Sequence, residues 1–101
     1  MRRLAAGAVV AMLLVGPAVA YKGERYAKDA KLNLKDARAL ALEAKPGRII
    51  SEALERKAGG SGLQYIFAVK AKGAVYEVGI DAKDAAILEC RKEQNNKIRH
   101  N

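Results

Sequence analysis

The amino-acid sequence predicts an α+β fold, one helix followed by an antiparallel β-meander, and a shift of hydrophobic period together with two turn segments carries the prediction. From Leu34 to Ala44 apolar residues recur at helical spacing, whereas from Leu63 onward the bulky ones fall on every second residue. The turn segments Ala71-Lys72-Gly73 and Asp81 to Ala85 then cut the alternating region into consecutive strands. Ahead of the domain, Met1 to Ala20 carries the pattern of a cleavable secretory signal.

That signal has three zones: Met1, Arg2 and Arg3 as a positive start, Leu4 to Val15 as an uncharged apolar stretch, and Ala18-Val19-Ala20 as a small-residue cleavage site. The apolar stretch is too short to span a bilayer, and Gly16-Pro17 breaks it just before the scissile bond. Cleavage after Ala20 exposes Tyr21 and leaves 81 of the 101 residues; losing Arg2 and Arg3 lowers the formal charge from +8 to +6. A chain of that length forms one small domain with a marginal core, and the expected location is the periplasm or the medium outside the cell.

Residues 21–32 are polar, mixed in charge and aperiodic, and read as an extended lead-in. The domain is expected over 33–90. Asn33 stands where a helix N-cap belongs, with Asp36 three residues on. Leu34, Ala37, Leu40, Ala41 and Ala44 gather within about 120° of arc. The stripe is rich in alanine, so the helix can lie close to its support, and Pro46-Gly47 ends it. Arg48 to Lys57 is ambiguous: Ile49, Ile50, Ala53 and Leu54 recur at helical spacing, while a strand turns Glu52 inward between Ile50 and Leu54, so the local pattern slightly favours helix.

The glycine-rich stretch up to Gly62 is a loop. Leu63, Tyr65, Phe67 and Val69 define one face of a strand; after Ala71-Lys72-Gly73, Ala74, Tyr76, Val78 and Ile80 define the same face of the next. Tyr65, Phe67 and Tyr76 are read as core. Asp81 and Asp84 are turn-formers that hydrogen-bond nearby backbone, and Ala86 to Arg91 supplies a last short strand. Residues 91–101 are polar and basic and are expected to be a disordered tail. Cys90 is the single cysteine, which excludes an internal disulfide and leaves a small core residue, a free thiol or half of an intermolecular bridge.

Several stretches together resemble the PepSY domain, found in propeptides of thermolysin-type secreted metalloproteases and in small exported bacterial proteins. Leu34-Lys35-Asp36-Ala37-Arg38-Ala39-Leu40-Ala41-Leu42 is similar to its opening helix, and Pro46-Gly47-Arg48-Ile49-Ile50 with Glu52-Ala53-Leu54-Glu55-Arg56 to its first strand. Leu63 to Val69 and Gly73 to Lys83 resemble its next two strands and the Asp-Ala-x turn that follows. The resemblance covers about Leu32 to Glu89. It implies that Arg48 to Arg56 is a strand, giving one N-terminal helix packed on a four-stranded antiparallel β-meander. Two positions depart from the family pattern: Ala85 where a glycine is usual, and Glu52 where an apolar residue is common.

No constellation for catalysis is visible. The one histidine, His100, lies in the tail, and Asp81 with Asp84 falls short of a calcium ligand set. Gly59-Gly60-Ser61-Gly62 lacks the lysine and helix of a phosphate loop. We therefore expect no catalytic, cofactor or metal residues. Basic residues are interleaved with acids, which argues against nucleic acid; Arg91, Lys92, Lys97 and Arg99 offer at most weak contact with anionic membrane or cell-wall surfaces. The resemblance implies a non-enzymatic exported module that inhibits or modulates a peptidase. The candidate contact residues lie on the two edge strands: Arg48, Ile50, Glu52, Leu54 and Arg56 on the first, Leu88 and Cys90 on the last. The alternative is an envelope protein that self-associates, for instance through Cys90, with no protease target.

Overall fold

A computed structural model describes residues 20–94; the signal-sequence reading of residues 1–19 and the tail residues 95–101 lie outside the described residues. Helix α1 (Leu34–Ala44) starts because Asn33 is extended and its Oδ1 accepts the Asp36 N–H at 2.8 Å. It ends at Lys45, whose N–H donates to Ala41 O, one residue before Pro46. Strands β1 (Arg48–Arg56), β2 (Leu63–Ala71), β3 (Ala74–Asp81) and β4 (Ile87–Lys92) follow and pair as an antiparallel meander in the order β1-β2-β3-β4. Arg48 to Arg56 is thus a strand, against its helical local spacing: eight of its residues pair with β2, and that outweighs a weak amphipathic pattern.

The helix covers one face of the sheet. Ala37 and Ala41 are fully buried there, over Leu63, Tyr65, Phe67 and Val69 of β2 and Val78 and Ile80 of β3. With only alanine methyls at its fully buried positions, α1 lies close against the sheet, and Leu34 and Leu40 pack at the margin of the core. Tyr65 is buried to its ring, and its hydroxyl donates to Leu32 O at 2.7 Å, so burial leaves no phenol unpaired. Tyr76, expected in the core, is only half-buried; it lies beyond the reach of the short helix, and Lys45 Nζ sits 4.0 Å over its ring instead.

The turns explain the register. Between β2 and β3, Lys72 and Gly73 both have positive φ, 54° and 78°, which is the two-residue hairpin turn matched to strand twist. Between β3 and β4, the buried Asp81 carboxylate accepts from the N–H groups of Lys83 and Asp84 and, across the sheet end, from Ser61 N–H and Oγ. Asp84 Oδ1 accepts from Ala86 N–H, so both aspartates do form the turn. Ala85 carries φ 68°, the left-handed conformation that explains why glycine is usual there.

Two expected boundaries change. Residues 21–32 are not extended throughout: Lys22 makes a parallel bridge with Ala53, and Glu24–Asp29 forms a 3-10 segment. The order comes from tertiary contacts, which leave no period in the sequence. At the other end, Arg91 and Lys92 belong to β4, where they pair with Glu77 and Tyr76.

Candidate functional site: the two sheet edges

Which backbone groups an edge strand offers follows from its register. On β4, Glu93 N–H donates to Val75 O, so Tyr76–Lys92 and Val78–Cys90 are non-hydrogen-bonded pairs. The N–H and C=O groups of Cys90 and Lys92 therefore point away from β3. On β1, Lys57 N–H donates to Gly62 O, and the same argument turns the backbone of Glu52, Leu54 and Arg56 outward.

The two edges differ in what covers them. Leu54 N–H is taken by Lys22 O at 2.8 Å, so the chain's own lead-in already occupies the middle of the β1 edge. Gly23 makes this approach tolerable: its φ is 85°, and a Cβ there would lie 1.7 Å from Leu54 O. Asp29 pairs with Arg56, whose guanidinium lies 4.8 Å from the Tyr26 ring centroid, and Lys22 reaches Glu55 at 3.7 Å. Upstream, the register shifts between Ile49 and Ser51, and Ile50 bulges outward with 47% of its surface exposed. The bulge bends the strand away from flat pairing. Among the described residues, none occupies the corresponding positions along β4.

The candidate residues thus fall into separate settings. Glu52, despite lying on the helix face opposite Phe67, is neutralised there: Arg38 Nε and one terminal nitrogen donate to its two carboxylate oxygens at 2.8 and 2.7 Å. That pair holds the Glu52 pKa below the ordinary carboxylate value and explains the departure from an apolar residue. Leu54 is core, Arg56 is tied to the lead-in, and Arg48 is exposed opposite Lys70. Leu88 is half-buried at the β4 irregularity next to Gly60, and Cys90 is an exposed free thiol.

Beside β4, a groove of about 280 Å³ runs between helix and strand, lined by Leu40, Glu43, Ala44, Ala85 and Ile87. Ile87 is 46% exposed in it. The helix is too narrow to cover all four strands, so this strip of the helix face stays open.

The uncovered sheet face carries charges that sequence reasoning did not single out. Glu77 and Glu89 share a hydrogen bond between carboxyl groups; this bond, then burial and the charge of Glu89, raises the Glu77 pKa, while the same bond, against burial and helped by Lys57 and Arg91, lowers that of Glu89. Arg91 stands 3.5 Å from both. No local signal marks this cluster, because register alone brings Glu77 opposite Arg91. Arg38 was equally hidden, although an acid at an inward strand position is itself a sign that a cation must face it. Asp81 is ionised despite burial, which opposes it: the three N–H donors and the Ser61 hydroxyl outweigh desolvation and hold its pKa near 2.

Fold and edges together define a small helix-on-meander module with one edge covered by its own lead-in and one that no other segment among the described residues covers. Residues 31–91 match the family model described as peptidase propeptide and YPEB domain, and the chain belongs to this family, PepSY. Searches of the curated proteins and of the solved structures found no match. PepSY domains are in general propeptide or inhibitor-like modules, and they occur in extracellular or envelope proteins. Among the described residues no helix is long and apolar enough to cross a membrane.

Proposed function

We propose that this chain is a non-catalytic, exported protein-binding module that modulates a peptidase of the cell envelope by accepting an extended segment of it along β4. One observation carries the reading: Cys90 and Lys92 direct their main-chain groups away from β3, on a strand whose first residue, Ile87, lines the apolar groove with Leu40 and Ala44. Added strands gain affinity from main-chain hydrogen bonds and specificity from side-chain pockets, and β4 offers both. The family description, with its peptidase propeptides, supports the class of partner. Export is supported by the pattern of Met1 to Ala20, and sequencing the N-terminus of protein recovered from the exported fraction is expected to begin at Tyr21.

The test is a titration of the purified protein into a panel of secreted metallopeptidases and other envelope peptidases, read by hydrolysis of a fluorogenic peptide. Saturable inhibition of at least one is expected. Lys92→Pro removes an outward N–H while sparing the ladder to β3, so it should abolish inhibition and leave the fold intact. Unchanged rates across the panel at excess protein would refute the proposal.

A further inference from the structure

The β4 edge is also self-complementary. In an antiparallel pairing of β4 with a second β4 centred on Cys90, residue 89 of one copy stands opposite residue 91 of the other. Glu89 then faces Arg91 twice across the seam, both on the uncovered sheet face. Since Cys90 directs its backbone outward, the two Cys90 residues form a hydrogen-bonded pair and exchange two main-chain bonds, with their Cα atoms about 5.5 Å apart. Glu89 and Arg91 become the closer, non-hydrogen-bonded pairs, where opposite charges interact most directly. Lys92 faces Leu88, which brings no like charges together.

The competing register is worse. Lys92 also points its backbone outward, but centring the pair there sets two lysine ammonium groups opposite each other, and like charges directly opposed are destabilising. Arg91 is free to bridge: its side chain is 59% exposed and its contacts to Glu77 and Glu89 are long, at 3.5 Å. The β1 edge offers no such seam, because the lead-in at Lys22 and the bulge at Ile50 block it.

We propose that β4 pairs with β4 of a second copy about Cys90, joining two four-stranded sheets into one of eight strands. A second copy on this edge excludes a peptidase segment from it, so the dimer is the closed form of the module. The test needs no peptidase and stands apart from the proposed function. Sedimentation velocity of the purified protein over a concentration series is expected to show a monomer–dimer equilibrium. Arg91→Glu sets two pairs of glutamates in opposition and should weaken association at least about tenfold. The charge swap E89R/R91E should restore it, and Lys35→Glu on the helix, which changes net charge equally, should leave it unchanged. A short bismaleimide should crosslink the two Cys90 thiols in the wild-type protein and in the charge swap. Monomer at every concentration, a dimer that folded R91E does not weaken, or a dimer without the Cys90 crosslink would each overturn the proposal.

Discussion

Substituting Gly23 by alanine should unseat the lead-in from the β1 edge. The new Cβ would stand 1.7 Å from Leu54 O and 2.8 Å from Leu54 C, both backbone atoms in the middle of a paired strand, so the 3-10 side must yield. Alanine at φ 85° adds left-handed strain of about 1–2 kcal/mol if the segment stays. If it lifts off, the bond from Leu54 N–H to Lys22 O is lost, at about 1 kcal/mol. Part of the packing of Tyr21 and Tyr26 against the core goes with it, of similar size. The Arg56–Asp29 and Lys22–Glu55 pairs are exposed and add little. Either route costs about 2 kcal/mol, which for a domain of this size lowers Tm by about 8–16 °C. Thermal unfolding by circular dichroism measures the shift, and amide hydrogen exchange measures Leu54 directly. A Leu54 amide as protected in the variant as in the wild type, with an unchanged Tm, would show that Lys22 and Gly23 do not seal this edge.

Three further predictions concern the turns and the Arg38–Glu52 charge pair. Ala85→Gly relieves left-handed strain of about 1–2 kcal/mol and returns about 0.4–1 kcal/mol through the freer unfolded chain, so a net gain of roughly 0.5 kcal/mol is expected in urea unfolding. Asp81 titrates at about 2 when folded against 3.8 when unfolded; its stabilisation is therefore complete above the unfolded value and lost as pH falls from about 4 towards 2. Acid titration followed by circular dichroism should show Asp81→Asn already destabilised at neutral pH, by about 2 kcal/mol, with a flatter dependence in that window. Glu52→Leu strands the Arg38 guanidinium beside the core and should destabilise, whereas Glu52→Leu with Arg38→Leu should recover most of the loss. A double-mutant cycle in denaturant measures the coupling, expected near 1 kcal/mol for this partly exposed pair.

Among the described residues one edge is covered and the other is not, which gives the module a direction. A four-stranded meander has two edges, and on β1 the lead-in and the Ile50 bulge act as edge protection. On β4 the charged residues are of both signs, Glu89 and Arg91, so they repel neither a partner of mixed charge nor a second copy. Association along β4 should accordingly weaken with added salt.

How much of this was legible depended on how local each cause is. The N-cap at Asn33, the alanine stripe, the stop at Pro46 and the period-two runs of β2 and β3 are written in residues a few positions apart, and the structure bears them out. The Asp81 and Asp84 turn was likewise readable, since a short carboxylate bonding its own backbone leaves a local mark. For β1 the local spacing pointed to a helix, and only the resemblance to a family made it a strand; pairing energy from β2, distant in sequence, decides that segment. The structure alone placed Lys22 on Leu54, Arg38 on Glu52 and Glu77 beside Glu89 and Arg91. By itself, then, the sequence determined helix α1, the β2–β3 hairpin and the turns, because backbone and side-chain preferences act over a few residues. Tertiary structure decided which edge is covered, which charges meet and where a partner has room, because those depend on register and on contacts between segments far apart in the chain.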